Sequence, residues 1–288
     1  MSASALPAPR ARGRLAGWPW PSLAVLALVV AAALLGDALS PWDPNEIDLG
    51  AAFQPPAFVA GGGWEHPLGT DNLGRDIAGR IVAGARVTLV VALNAILLSG
   101  AIGALAGMVS GFLGGWADAV IMRVVEIQNS IPAVALALIL AAALQPGLQT
   151  VVIVITLTYW SWYARIVRGE VLSLKTRDYV AFARTAGVAT PVILWRHLLP
   201  NIMNTLLVLA TLQVGQVIIF EASLSFLGLG IQQPDVSWGL MLSDARQYIT
   251  NAWWAITMPG LAIMLTCLAA NLFGDWLRDR LDPRMRQL

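Results

Sequence analysis

Long apolar runs separated by short polar stretches are the feature that most constrains this chain of 288 residues. Hydrophobic residues make up 57% of the sequence and charged residues only 12%, whereas about a quarter of an average soluble domain is charged. A helix needs roughly 20 apolar residues to cross a hydrocarbon core of about 30 Å. The sequence therefore predicts an all-α protein that crosses a membrane several times.

Six runs are candidate spans: Ser22–Leu39, Val87–Val109, Ile131–Leu144, Thr150–Tyr163, Ile202–Leu227 and Trp253–Phe273. The third run is short, with about 21 Å of helix, so we expect the preceding stretch Trp116–Ser130 to extend it. That stretch contains Asp118, Arg123 and Glu126. Charged side chains at this depth must face protein, water or the interface rather than lipid tails.

The first run allows two interpretations. It follows Arg10, Arg12 and Arg14 and is followed by Ala38 and Ser40, a pattern that also fits a cleaved signal peptide. Because the run is long enough to span and the rest of the chain stays in the membrane, we expect an uncleaved signal anchor.

Lysine and arginine predict the orientation. With the N terminus inside, 14 of the 18 lie on the cytoplasmic side, and the four outside are Arg75, Arg80, Arg86 and Arg246. Cytoplasmic loops carry such an excess, so both termini are predicted to be cytoplasmic. The expected order is a cytoplasmic segment 1–21, a first span 22–39, a periplasmic segment 40–86, a membrane core 87–274 containing the cytoplasmic loop 164–201, and a cytoplasmic tail 275–288.

The cytoplasmic stretch Asp178–Asn201 predicts a pair of short helices. Asp178 suits a helix N-terminus, and Gly187 suits the left-handed residue that ends a helix. Thr190 then predicts an N-cap, with Pro191 in the first turn of the second helix, and Pro200 predicts a break before the next span. These signals leave two readings open, a linker on the membrane surface or a docking element for a soluble partner.

Two further polar regions are candidates for function. The segment Thr70–Arg86 predicts an external amphipathic helix capped by Thr70 or Asp71, with Arg75, Asp76 and Arg80 on its wet side. In the fifth span, Gln213, Gln216 and Glu221 fall within a sector of roughly 140°. Polar residues inside a span usually face a cavity or a partner, so we expect them to line a pathway or a subunit interface, although Glu221 could instead form a structural pair near the outer interface.

Several other activities are excluded. A net charge of +1 argues against nucleic-acid binding. Residues Gly169–Thr176 approach a phosphate-binding loop, but Leu174 replaces its last glycine and no strand precedes it. His66 and His197 lie on opposite sides of the membrane and cannot share a metal. We therefore expect no ATPase or other catalytic motif, no metal and no cofactor on this chain.

Four motifs in order carry a family resemblance that runs from about His66 to Arg286. The set Tyr179, Val180, Ala183, Arg184, Gly187, Leu199 and Pro200 resembles the EAA loop of the permease subunits of bacterial ABC importers. The other three are similar to the second permease subunit of the dipeptide, oligopeptide and nickel importers: His66–Asp76, Glu221–Gly230 followed by Ser237–Gly239, and Leu281–Arg286. Ala181 and Phe182 depart from the pattern, because the family has Glu and Ala there.

The resemblance implies the type I ABC importer permease fold with six spans in a bacterial inner membrane. It implies a homologous permease, two ATP-binding subunits that carry ATP and Mg, a periplasmic or lipid-anchored solute-binding protein, and uptake of di- or oligopeptides by alternating access. It assigns ATPase coupling to Asp178, Tyr179, Ala181, Phe182, Ala183, Arg184, Gly187, Pro191, Leu199 and Pro200. It also places Thr70, Asp71, Arg75 and Asp76 at the outer docking face. The alternatives are a nickel or other small-solute importer, an ion-gradient transporter and a non-transporting scaffold.

Overall fold

The computed structural model describes residues 19–39 and 43–281, and about three quarters of these residues are helical. Arg10, Arg12, Arg14, Ser40, Arg284 and Arg286, on which parts of the sequence interpretation rest, lie outside the described residues, as does most of the motif that begins at Leu281. The helices are α1 (Trp20–Leu39), α2 (Ile77–Leu113), α3 (Gly115–Ser130), α4 (Ala133–Ala143), α5 (Leu148–Leu174), α6 (Asp178–Thr185), α7 (Thr190–Val192), α8 (Leu199–Phe226), α9 (Trp238–Ala245) and α10 (Trp253–Leu281). A π-helical stretch, Ile193–Leu198, joins α7 to α8.

Four helical rods are long and apolar enough to cross a membrane: α2, α5, the continuous rod Thr190–Phe226 and α10. The apolar part of α1, Trp20–Gly36, is shorter. The chain is thus a helical membrane protein with four such spans in its described part, or five if α3 and α4 together form one.

The predicted third span is not a straight helix. α3 and α4 are bent by 94° relative to each other, and the helix does not continue from Trp116–Ser130 into the next run as expected. The cause is Pro132, which disfavours the helical conformation in the residue before it. Ile131 accordingly has φ −92° and ψ 130°.

The helix α2 begins ten residues before the predicted second span and has 37 residues, about 55 Å. The helix expected over Thr70–Arg86 is present from Ile77 onward, but the predicted start and the cap at Thr70 or Asp71 are wrong, because Thr70 and Asp76 pair across a tight turn. Asp76 is the N-cap, and its Oδ1 accepts a hydrogen bond from the Gly79 N–H at 2.6 Å. One continuous helix therefore includes both the external stretch and the span.

Three glycines at four-residue spacing hold α2 against α5. A Cβ at Gly103 would lie 2.3 Å from the Trp160 carbonyl oxygen, and one at Gly107 would lie 2.5 Å from that of Ala164. At Gly111 the nearest atom, the Arg168 carbonyl oxygen, would be 3.0 Å away. Small residues at this spacing let membrane helices approach backbone to backbone. The α2–α5 pair is therefore the axis of the fold.

Buried apolar side chains form two clusters along this axis. The larger cluster runs from mid-span towards one end of the bundle and includes Ile155, Val217, Trp238 and Trp254. The smaller cluster lies at the opposite end, beneath α6. We call these the α9 end and the α6 end, after the short helix that covers each.

Candidate functional site

At the α6 end, one short helix is fixed by a narrow stripe and exposes the rest of its surface. Val180 and Ala183 are buried against Phe112, Ile193 and Leu198. The other predicted coupling residues on this helix, Asp178, Tyr179, Ala181, Phe182 and Arg184, are all exposed. Phe182 is the most prominent, with 72% of its surface exposed. We call the exposed residues Tyr179, Ala181 and Phe182 the coupling face.

The prediction that Gly187 ends the first helix in a left-handed conformation is confirmed, since its φ is +75°. The Val188 N–H donates to the Ala183 carbonyl at 3.0 Å and the Gly187 N–H to that of Arg184 at 3.1 Å. This pair of bonds is the Schellman motif, which satisfies the last carbonyls of a helix. The motif fixes the direction in which the chain leaves α6.

The start of the second helix differs from the prediction by one residue. Ala189 occupies the N-cap position and Thr190 is already helical, with no side-chain capping bond. Pro191 lies in the first turn as expected, where the absence of its N–H costs nothing.

The predicted break at Pro200 is wrong. The Leu199 N–H bonds to the Leu194 carbonyl, five residues back, so the preceding turn is π-helical. This wider turn accommodates Pro200, which lacks an N–H and would otherwise interrupt the ladder of hydrogen bonds. Helix Thr190–Phe226 therefore continues without a break from the coupling loop into the membrane.

Part-buried polar contacts beside the coupling loop tie three helices together. Arg168 donates from Nε to Asp118 Oδ1 and from Nη2 to Asp118 Oδ2, each at 2.6 Å, and Ser110 also bonds to this carboxylate. Lys175 Nζ donates to the Gly111 carbonyl at 2.8 Å. Asp118 was expected to face protein, water or the interface. It faces protein, since it pairs with Arg168. The sequence did not predict Arg168 as this partner, because it lies 50 residues further along the chain.

The α9 end contains a buried ionic cluster of Asp71, Arg75, Arg80 and Asp244. Arg75 Nε bonds to Asp71 Oδ2 at 2.7 Å, and Arg75 Nη2 bonds to Asp244 Oδ2 at 3.1 Å. Arg80 Nη2 lies 3.4 Å from the same oxygen of Asp244. The prediction that Arg75, Asp76 and Arg80 form a wet face is wrong, because only 1–3% of their surface is exposed. Burial is possible since opposite charges pair inside the chain.

The neighbouring predicted docking residues are also part of the interior. Thr70 is fully buried, and its carbonyl accepts a bond from Trp254 Nε1 at 3.0 Å. Asp76 Oδ2 lies 2.9 Å from His66 Nδ1. The side chains of Thr70, Asp71, Arg75 and Asp76 therefore anchor the loop before α2 to the bundle, and they are buried within this chain.

The three polar residues of the fifth predicted span point in different directions. Gln213 and Glu221 are each 1% exposed, whereas Gln216 is exposed. Glu221 Oε1 accepts bonds from Ser225 Oγ at 2.8 Å and Ser237 Oγ at 2.9 Å. Ser237 also caps α9. Glu221 thus links the end of α8 to α9 within this chain.

Comparison with known proteins places this geometry among transport components. Residues 103–287 match the family described as binding-protein-dependent transport system inner membrane component. Residues 20–56 match the N-terminal TM domain of oligopeptide transport permease C.

Relatives match along nearly the whole chain. The chain is 41% identical over 264 residues to the di/tripeptide transport system permease protein DppC of Pseudomonas aeruginosa (strain UCBPP-PA14), covering 92% of this chain and 87% of the relative. It is 40% identical over 262 residues to the probable D,D-dipeptide transport system permease protein DdpC of Escherichia coli (strain K12), covering 90% and 86%.

Solved structures share the fold at low identity. A chain of the MetNI methionine ABC transporter, in an inward-facing native crystal form, superposes with a TM-score of 0.57 and 19% identity. The match covers 72% of this chain and 98% of that chain.

Proposed function

Because this chain belongs to the family of binding-protein-dependent transport system inner membrane components, we propose that it is the permease subunit of an ATP-driven importer of short peptides. The relatives described as dipeptide and di/tripeptide permeases support this cargo. The observation that carries the proposal is the coupling face, where a helix with a fixed exit direction presents a bare aromatic ring, Phe182.

We place the α6 end in the cytoplasm. The proposed topology has six spans, α1, α2, the bent pair α3–α4, α5, the α8 rod and α10, with both termini inside. Described cations near the α6 end outnumber the four near the α9 end, in line with the positive-inside rule. They are Arg165, Arg168, Lys175, Arg177, Arg184, Arg196, Arg278 and Arg280.

The coupling face would seat against an ATP-binding partner subunit. The family has an acidic residue where this chain has Ala181, so an ionic contact is replaced by apolar burial of Phe182. Two such partner subunits, which hold the ATP and Mg, would act on this chain and on a homologous permease. A solute-binding protein would deliver the peptide at the α9 end.

Closure of the ATP-binding subunits would push α6 and tilt the rod Thr190–Phe226, so that the cavity between the two permeases alternates between outward and inward openings. This requires that nucleotide binds one conformation more tightly than the other, since equal affinity shifts no population. No catalytic group of this chain takes part.

Replacing Phe182 by alanine tests the coupling face. The ring is largely exposed, so the stability of the isolated subunit should change by no more than about 0.5 kcal/mol. Loss of an aromatic interface anchor should weaken binding of the ATP-binding subunits by about 2 kcal/mol, roughly 30-fold. Titration of purified ATP-binding subunits onto the permease pair in nanodiscs measures this.

The matched control is Phe58→Ala, which removes an equally apolar ring that is 65% exposed at the α9 end. Its affinity for the ATP-binding subunits should be unchanged. Equal losses for Phe58→Ala and Phe182→Ala, or no loss for either, would contradict the assignment.

Uptake into proteoliposomes by the complete transporter, with its solute-binding protein, tests the cargo. We expect ATP-dependent accumulation of a labelled dipeptide and none of nickel ions. Uptake that needs an ion gradient but no ATP would indicate a secondary transporter. ATP-binding subunits that bind without any uptake would indicate a scaffold.

A further inference from the structure

The helix α3 carries an exposed ion pair in the middle of a membrane protein. Arg123 Nη1 lies 3.2 Å from Glu126 Oε2, and the two side chains are 74% and 61% exposed. Val125 is the only residue of this helix that is buried. The proposed function so far gives these charges no role.

Exposed residues of α3 separate into two stripes. At about 100° per residue, Arg123, Glu126 and Ser130 fall within a sector of roughly 60°; we call them the charged stripe. Beside it runs an exposed apolar stripe made of Trp116, Val120, Val124 and Ile127. A helix with two such faces borders two different environments, one apolar and one wet.

The contacts of α3 with α5 give the depth of the charged stripe. Gln128 Nε2 donates to the Leu157 carbonyl at 2.8 Å and to the Thr158 carbonyl at 3.0 Å. Thr158 lies about 24 Å from one end of α5 and about 15 Å from the other, at 1.5 Å per residue. Arg123 and Glu126 are about 8 Å and 3 Å nearer the α6 end than Gln128. The ion pair therefore lies between the two ends of α5, about 16 to 21 Å from its α6 end.

The helix break beside the stripe opens a polar cavity of about 350 Å³ between α3, α4 and α5. Its lining includes Gln128, Asn129, Ser130 and Thr158. The first N–H groups of α4 have no carbonyl partner within the helix, and Pro132 at its N-cap offers no side-chain bond. Non-helical backbone at membrane depth occurs where it is buried in protein or lines a water-filled cavity.

Water is the environment that suits the charged stripe. Charges facing lipid tails at this depth are costly, and the apolar stripe is the better surface for lipid or a second permease. We propose that Arg123, Glu126 and Ser130 line the translocation pathway at mid-membrane, and that a peptide in transit exchanges its two charged termini for the Arg123–Glu126 pair. The peptide α-carboxylate then pairs with Arg123 and its α-ammonium group with Glu126. This inference rests on the proposed function.

The exchange suits a transport pathway because one ion pair within the protein is replaced by two similar ion pairs between protein and peptide. Residues three apart on a helix have Cβ atoms about 5–6 Å apart, and a dipeptide spans about 7 Å, so flexible side chains can reach both termini. A pathway site must be favourable enough to enter and weak enough to leave. When the peptide leaves, Arg123 and Glu126 pair again and no bare charge remains.

Thiol accessibility tests whether water and peptide reach the stripe. Cys267 is the only cysteine, so Cys267→Ser gives a background for Glu126→Cys, Ser130→Cys and the matched control Val124→Cys on the apolar stripe. In the assembled transporter in nanodiscs, a membrane-impermeant methanethiosulfonate should modify the first two at least about ten-fold faster than the control, and saturating dipeptide should slow both. Equal rates at all three positions, or no protection by dipeptide, would overturn the proposal.

Uptake by the complete transporter tests the charges themselves. Glu126→Gln should raise the KM for a free dipeptide about five-fold, the size expected of one exposed ion pair, and should leave an N-acetylated dipeptide unaffected. Arg123→Gln should likewise raise the KM for a free dipeptide, and it should leave a C-amidated dipeptide unaffected. If both variants import every peptide with the same KM as the parent protein, the inference fails while the importer assignment stands. If the parent protein imports no peptide, the importer assignment fails, and the thiol rates still decide whether the stripe is wet.

Discussion

The two ends of the bundle differ in where they place their charged side chains. At the α9 end, Arg75 and Arg80 are buried with Asp71 and Asp244, and the outer loop closes over them. At the α6 end, Arg177, Arg184 and Arg196 are exposed, and so is the aromatic ring of Phe182. The charges of the α9 end are therefore paired within one chain, whereas the coupling face at the α6 end is uncovered in this chain.

This difference separates stability from function. Both ends carry polar motifs that predict docking from sequence, but only the α6 motif leaves its side chains available. Changes at the α9 end should therefore unfold the subunit, and changes at the α6 end should uncouple it while it remains folded.

The largest effect is expected for Arg75→Ala. Removing the guanidinium leaves the buried Asp71 carboxylate and the part-buried Asp244 carboxylate without their closest partner, which should lower the free energy of unfolding by about 3–5 kcal/mol. Thermal unfolding of the purified subunit in detergent measures this. The matched variant is Arg177→Ala, an exposed arginine at the α6 end, with an expected change within about 0.5 kcal/mol. Similar losses in both would break the comparison between the ends.

The second-largest effect on stability is expected in the α2–α5 pair, which connects the two ends. A methyl group at Gly107 meets the backbone of α5 at 2.5 Å, so Gly107→Ala should separate α2 from α5 and cost about 2–3 kcal/mol. Gly169→Ala on α5 is the control, because a Cβ there meets nothing within 4 Å, and the better helix propensity of alanine should make it neutral or slightly stabilising. A stable Gly107→Ala subunit would show that the two ends are not joined through this contact.

The smallest effect on stability is expected at the α6 end. Gly187→Val places a β-branched residue at φ +75°, which costs roughly 1–2 kcal/mol of local strain. The subunit should still insert into the membrane, yet ATP-driven uptake should fall because α6 leaves its position. Membrane quantity and uptake are measured together in the same vesicles. Uptake at the level of the parent protein would show that the exit direction from α6 does not matter.

Two prolines show how far local sequence can predict this fold. Both Pro132 and Pro200 predict a helix break by the same local rule. Pro132 bends the chain by 94°, whereas Pro200 is absorbed by a π-helical turn and the rod continues. The outcome depends on whether neighbouring helices hold the two halves in line, and a local window does not contain that information.

Burial of charge was the other property that the sequence did not predict. Gly187 and its helix end were predicted correctly because a helix cap involves only neighbouring residues. The burial of Arg75 and Arg80 depends on pairing with Asp244, which lies 169 and 164 residues away. The close approach of α2 and α5 was missed although its signal, glycines at 103, 107 and 111, stands in the sequence.

The absence of a joint at Pro200 has a mechanical consequence. The rod Thr190–Phe226 has 37 residues, about 55 Å, so a tilt of about 5° at one end would carry the other end through about 5 Å. That far end is fastened to α9 by Glu221 and Ser237. A movement of the α6 end is therefore transmitted along one continuous helix to α9, without a hinge in between.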